Sequence, residues 1–469
     1  MGHSVTVSRT NGCICSGQIA YLQHLFAKSM QNTPKLNLFS FVMIVIGLVI
    51  GMGIFRTAAT SAKDAIVPSV YFSAWVVGGI VALCGALTYA EIGSRYPVTG
   101  GYYKVFAQAY HPSIAFAINC LILVSNAASL SGVALIGSGY LLKLVPGEWT
   151  DMHKALVSCA AILIFYIINL RGLSMSSQTQ NVLMVIKILM IVVLIAALFF
   201  PEQYAVQELP VPAAPVDSID WIKSLGVSLI AVSFTYGGYQ QTINFGQEVD
   251  RPSRTIPRGI FTGIAVIILL YLLVNFSYYK LIGFEQMKNE REIAYVVMDK
   301  IFGTTGATVF SAFLFLGVLA YVNGLLMSNP RVMYAMGEDG SLPRVFAGKN
   351  EKGVLTLSLT VFAAVCMVIL FFSQQFEQIL TFSIFLDCFG MILSSATIFW
   401  FRRKTKHLDS TGIFKMKLFP LMPVVFIAAY LFVGTSITLA DPQAALTGVG
   451  LLALFAGLYF LFHQKMKQK

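Results

Sequence analysis

Gly47-Leu48-Val49-Ile50-Gly51-Met52-Gly53-Ile54-Phe55 sits in the middle of an apolar run from 38 to 60. A spanning helix needs roughly 20 apolar residues, and this run is long enough, yet two glycines one residue apart interrupt it. In hydrocarbon every backbone N–H and C=O must find a partner inside the protein. A helix break at that depth is therefore tolerated only where it is packed or lines a cavity. A second run, 222 to 246, carries Ser233-Phe234-Thr235-Tyr236-Gly237-Gly238-Tyr239, again with paired glycines near its middle. Close helix packing through small residues explains either cluster alone. Two clusters in matching places favour a cavity between them.

The rest of the chain has the same character. Of its 469 residues 57% are hydrophobic and only 11% charged, and the mean hydropathy is +0.75, which excludes a soluble globular domain. Further apolar runs lie near 68 to 92, 113 to 145, 154 to 170, 178 to 200, 258 to 283, 304 to 334, 354 to 373, 378 to 401, 418 to 438 and 443 to 463. The predicted fold class is all-α integral membrane, with about twelve transmembrane helices. The sixth run stands to runs six to ten as the first stands to runs one to five. With five helices per half, the second half enters from the opposite side. The expected organisation is a five-plus-five inverted repeat, 38–200 and 221–401, with discontinuous helices 1 and 6. Two additional helices follow over 418–463, with tails at 1–37 (expected disordered) and 464–469. Interrupted helices at corresponding positions of inverted repeats point to a midplane binding site.

The net charge of +11 suggests a nucleic-acid partner, but the placement of the charges argues against one. Lys and Arg gather in alternate loops, on the side that holds both termini, while acidic residues lean to the other side, as over Glu202–Asp220 and Glu285–Asp299. This positive-inside pattern puts both termini in the cytoplasm. The first 30 residues lack the apolar core of a secretory signal, and Met30, eight residues before the first run, is the expected start. The seven cysteines are scattered singly and all six histidines lie in tails or at loop edges. Neither a disulfide framework nor a metal site is expected, and no cofactor is implied.

At a broken helix the free N–H groups of one half, with the positive end of its dipole, face an anion, and the free carbonyls of the other half face a cation. A pocket offering both suits a zwitterion, of which the α-amino acid is the commonest small example.

Four motifs carry a family resemblance. They are Gly51-Met52-Gly53-Ile54-Phe55; Tyr89-Ala90-Glu91-Ile92-Gly93 with Tyr96-Pro97-Val98-Thr99-Gly100-Gly101-Tyr102; Phe234-Thr235-Tyr236-Gly237-Gly238-Tyr239 with Glu248, Pro252 and Ile256-Pro257-Arg258; and Arg331 with Tyr334-Ala335-Met336 and Asp339-Gly340-Ser341-Leu342-Pro343. In this order the chain resembles the amino acid/polyamine/organocation transporters, and among them the sodium-independent L-type amino acid transporters and their bacterial relatives. The resemblance implies alternating access. It places the substrate carboxylate on backbone N–H groups of Gly51, Met52 and Gly53, and the ammonium on carbonyls of Val49, Phe234 and Gly237. Phe234 and Tyr236 would form the outer gate. Met52 stands where the family usually has a small residue, which bears on substrate size. Lys187, deep in the fifth run, resembles the family's span-five lysine and is the expected coupling residue, linking the first break to span eight or carrying a proton in place of sodium.

Glu91, Arg95, Glu248 and Arg331 at the ends of spans two, six and eight are the expected inner gate. Asp387 in span ten matches no motif. The pocket near Thr235, Ser125, Asn126 and Asn323 shows no evident acid, so neutral amino acids are the expected substrates, with cationic amino acids or polyamines as the alternative. The stretch Leu142–Met152 has no cysteine to hold a disulfide-linked heavy chain, so the chain is expected to work alone as a monomer in a plasma membrane, in the first instance a bacterial inner membrane. A polytopic membrane enzyme would need a catalytic polar set inside the spans, and a channel would need repeated pore-lining rings. The sequence offers only Lys187 and Asp387 well inside.

Overall fold

The computed structural model describes residues 35–51, 53–200, 217–290, 292–372, 376–407 and 412–467. Met30, most of the tail 1–37, and Met52 lie outside them. The chain divides into Met1–Lys35 and Leu36–Lys469, and the second unit holds all the helices described below.

That unit is helical. Its helices are α1 (Leu38–Val49), α2 (Gly53–Asp64), α3 (Pro68–Arg95), α4 (Gly101–Ala109), α5 (Pro112–Leu142), α6 (Asp151–Leu170), α7 (Leu173–Ala196) and α8 (Ser218–Tyr236). After these come α9 (Pro252–Ile282), α10 (Phe284–Asn289), α11 (Ile293–Glu338), α12 (Thr356–Phe372), α13 (Phe376–Lys404), α14 (Leu421–Ala440) and α15 (Pro442–Lys467). Among the described residues ten helical stretches are long and apolar enough to cross a membrane, with α1 and α2 counted together; α12 is apolar but shorter. Helix starts follow local chemistry. Asn37 caps α1 by accepting the Ser40 N–H at 2.8 Å, and α3, α5 and α9 begin with proline, whose missing N–H is no loss at that position. α11 bends at Gly303, whose positive φ of 69° other residues avoid.

The two breaks fall at the glycine clusters. α1 ends at Val49 and α2 begins at Gly53. α8 ends at Tyr236, and after Gly237 and Gly238 the chain resumes as a 3-10 turn, Tyr239–Asn244. The segment after this second break ties the Leu36 end of the bundle together. Leu36 exchanges backbone hydrogen bonds with Glu248 and Asp250 at 2.7 and 2.9 Å, Gly100 N–H donates to the Asn244 carbonyl at 3.0 Å, and Tyr102 N–H donates to Asn244 Oδ1 at 2.9 Å.

The broken first helix is held in place by close packing on α9. Phe41 and Val45, one turn apart on α1, sit over Gly259 and Gly263, one turn apart on α9, and a Cβ at position 263 would stand 2.6 Å from Val45 Cγ1. Small residues at such a contact let two helices approach until dispersion is effective along their length. Gly263→Leu is expected to separate α1 from α9 and lower the thermal midpoint in detergent clearly. Gly457→Leu, where nothing lies within 4 Å of the added carbon, should leave the midpoint nearly unchanged, and equal shifts for the two would contradict this packing.

Candidate functional site

The two breaks touch. Gly238 has φ of 109° and its Cα faces the Leu48 carbonyl so closely that a side chain would overlap it. Gly53 faces Thr235 in the same way, with a hypothetical Cβ 2.7 Å from Thr235 Oγ1. The hydroxyls of Thr57 and Thr235 are hydrogen-bonded to each other, joining α2 to α8. Tyr271 of α9 spans both breaks, its hydroxyl donating to the Thr235 carbonyl at 3.2 Å and towards the Val49 carbonyl at 3.4 Å.

These breaks open onto a narrow central cavity of about 30 Å³. Val49, Gly51 and Gly53 line it from the first break and Phe234, Thr235 and Gly237 from the second. Asn126 and Ser129 of α5, Tyr321 of α11, and Ile384, Asp387 and Met391 of α13 complete much of the wall. The spacings of three, four and seven residues put each set on one helix face. Tyr321 packs its ring over Gly51 and is fixed by a 2.8 Å hydrogen bond with Ser129.

The residues expected on the substrate are thus gathered at one place, apart from Met52, which lies outside the described residues. Their hydrogen-bond states differ. Gly51 N–H already donates to the Val49 carbonyl at 2.8 Å, and Gly237 N–H to the Phe234 carbonyl at 3.2 Å. At the start of α2 the N–H groups of Gly53, Ile54 and Phe55 have no carbonyl one turn earlier in their helix. Tyr236 does not line this cavity. It is buried against Trp75 and Tyr271, with ring centroids at 5.9 and 5.1 Å.

Lys187 is fully buried, and its ammonium donates to the carbonyl of Ile50, beside the first break. Gly317 of α11 lies over its methylenes, with space for a Cβ 3.5 Å from Lys187 Cε. Asn323, expected in the pocket, sits elsewhere. It accepts from Asn169 at 2.9 Å and donates to Gln180 at 2.8 Å, binding α6, α7 and α11 to one another.

Asp387 requires a correction to the sequence reading. The expectation of neutral substrates rested on a pocket without an acid, and the cavity has one. Nothing in the local sequence of α13 shows which way position 387 points; the packing of α13 on α5 decides it.

The four expected inner-gate residues form two clusters at the Leu36 end. Glu91, with no exposed surface, accepts Arg95 Nε at 2.8 Å, both Nε and Nη2 of Arg402 at 2.8 and 2.7 Å, and the Met416 N–H at 2.9 Å. Glu248 pairs with Arg331 at 2.6 Å, whose guanidinium also lies 4.3 Å from the Phe245 ring centre. Arg402 was not foreseen, because it follows Glu91 by 311 residues and belongs to no motif. Nearby, Lys104 bonds Asp339 at 2.6 Å. Burial opposes its charge, but Asp339 and Glu338 hold its pKa above the usual lysine value.

At the opposite end a wider hollow, about 1890 Å³ with its open mouth included, is bordered by Arg56, Lys143 and Glu292. Ion pairs thus gather at one end of the bundle and a broad depression lies at the other.

A multi-pass helical bundle in which two broken helices meet at a central cavity defines a membrane transport protein. The chain belongs to the amino acid permease family, whose family model matches residues 36–461. It is similar to the serine/threonine exchanger SteT of Bacillus subtilis, 24% identical over 91% of this chain and 95% of that protein. It is similar also to the human cystine/glutamate transporter, 24% identical over 93% and 86%, and to the rabbit large neutral amino acids transporter small subunit 2, 22% identical over 91% and 80%. The resemblance read from the four motifs holds, and the protein is a permease and not an enzyme.

The Glu91 cluster allows a direct comparison. Removing one partner of a buried ion pair leaves an uncompensated charge and costs about 3–5 kcal/mol. Glu91→Ala should therefore lower the detergent thermal midpoint strongly, and Glu248→Ala, at a pair that is partly exposed, should lower it less. The reverse ranking would show that the Glu248 pair contributes more to stability than the cluster around Glu91.

Proposed function

We propose that this permease is a sodium-independent carrier of L-amino acids that works by alternating access and exchanges one amino acid for another. The single observation that carries the reading is the contact of the two helix breaks at one cavity, with the N-terminal end of α2 and the C-terminal end of α8 both facing it. The dipole and free N–H groups of α2 favour a carboxylate, and the carbonyls ending α8 favour an ammonium. Substrate would meet the N–H groups around Gly53 and, after local adjustment, Gly51 and Met52. The carbonyls of Val49, Phe234 and Gly237 lie opposite.

In this reading α8 and its 3-10 continuation form the sixth span and α12 the ninth, giving twelve. The repeats are 38–200 and 221–401, with 418–463 added. Phe234 serves as the outer gate, and the Glu91 and Glu248 clusters as two parts of the inner gate. Lys187 couples the first break to α11, its ammonium occupying the region where a sodium ion would otherwise compensate the Ile50 carbonyl. The chain works as a monomer without a disulfide-linked heavy chain, its termini in the cytoplasm of a bacterial cell. Exchange is favoured over proton-coupled uptake by the similarity to a serine/threonine exchanger.

The test is uptake of radiolabelled amino acids into proteoliposomes. Uptake should need internal amino acid and be equal in sodium and choline buffers. Flux into empty vesicles would indicate uniport or proton coupling, and no flux of any amino acid would reject the carrier. Lys187→Ala should cut exchange at least roughly tenfold, because the Ile50 carbonyl then loses a charge-assisted bond at membrane depth. Unchanged exchange and an unchanged pH profile would remove Lys187 from the mechanism.

A further inference from the structure

The wall of the cavity has an excess of hydrogen-bond acceptors. Asp387 contributes the only carboxylate among the described lining residues, and no Lys, Arg or His lines the cavity with it. Its Oδ1 takes one hydrogen bond, from Ser125 Oγ at 3.1 Å. Among the described residues it forms no ion pair.

Gln241 adds a second acceptor, and its orientation follows from a chain of amides. The carbonyl of Leu325 accepts Asn329 Nδ2 at 3.1 Å, which turns Asn329 Oδ1 towards Asn126. Asn126 Nδ2 donates to that oxygen at 2.7 Å, and Asn126 Oδ1 accepts Gln241 Nε2 at 2.8 Å. Each link uses the donor of one amide on the acceptor of the next, so the Gln241 oxygen is left over. Gln241 Oε1 is buried and has no donor among the described residues. The two groups are held by consecutive residues of α5, Ser125 and Asn126.

Resting on the carrier reading above, we propose that Asp387, with Gln241 beside it, is the specificity site for the substrate side chain, and that this permease selects amino acids with a cationic side chain over uncharged ones of equal length. A carboxylate at membrane depth facing a cavity is costly without a counter-charge. A side-chain ammonium or guanidinium supplies that charge and also the donors that the carboxylate and Gln241 Oε1 lack. An apolar side chain would strip water from the carboxylate, leave Gln241 Oε1 without a donor and return nothing, and a site built around such groups rejects the analogue that cannot pair with them. A hydroxyl could satisfy one acceptor but would leave the charge uncompensated.

The experiment compares L-lysine, 6-hydroxy-L-norleucine, L-norleucine and L-alanine as competitors of exchange in proteoliposomes. The first three differ only at the end of the side chain. Wild-type protein should favour lysine over norleucine by roughly 10- to 100-fold in half-inhibiting concentration, the size expected for hydrogen bonds to a charged group, with 6-hydroxynorleucine between them. In Asp387→Asn that ratio should collapse towards one. Because the wild-type comparison uses substrates with the same six-carbon chain, of which 6-hydroxynorleucine matches lysine in length, it tests the proposal even where the variant fails to fold. Alanine exchange with lysine no better than norleucine would overturn the side-chain assignment and leave the carrier standing. A lysine preference that survives intact in folded Asp387→Asn would also overturn it. If no amino acid, alanine included, is exchanged, the carrier reading fails, and this assignment with it.

Discussion

An unpaired backbone group at membrane depth finds no water to bond, and the cost of leaving it so, several kcal/mol, shapes the centre of this permease. At two places, after Val49 and after Tyr236, the helical ladder stops. The groups released there are satisfied from unusual sources. Lys187 reaches the Ile50 carbonyl, Tyr271 reaches carbonyls of both breaks, and Gly51 and Gly237 turn back on the preceding strands of chain. Each solution demands a neighbour at a set distance, so the breaks dictate where α7, α9 and α11 must stand. The packing of Gly259 and Gly263 under α1 and of Gly317 over Lys187 meets that demand.

Charge follows the same logic. The cost of burying Glu91 is offset by two arginines and a backbone N–H, which supply donors to both of its oxygens. Lys187 is buried against a carbonyl and not a carboxylate. Asp387 differs from both. It keeps a face to the cavity and, among the described residues, accepts from one hydroxyl, that of Ser125. Ion pairs gather at the Leu36 end and a wide hollow lies at the Arg56 end.

The sequence by itself determined the membrane class, the position of nearly every helix and both breaks. Hydropathy is a local property, spanning length is set by bilayer thickness, and paired glycines weaken a helix wherever they occur. It also marked Lys187, since a lone ammonium deep in an apolar run needs a reason, and it brought the chain to its family through four short motifs. The direction in which a side chain points around a long buried helix is not local, because α5 and α13 are apolar on every side and their periodicity marks no inner face. Only the tertiary structure decided that Asp387 faces the cavity while Asn323 joins three helices away from it, that Tyr236 turns into an aromatic core, and that Glu91 meets Arg402 across 311 residues of chain. Those outcomes depend on how neighbouring helices rotate and pack, and pairing between distant spans leaves no trace in the spacing of residues along a single sequence.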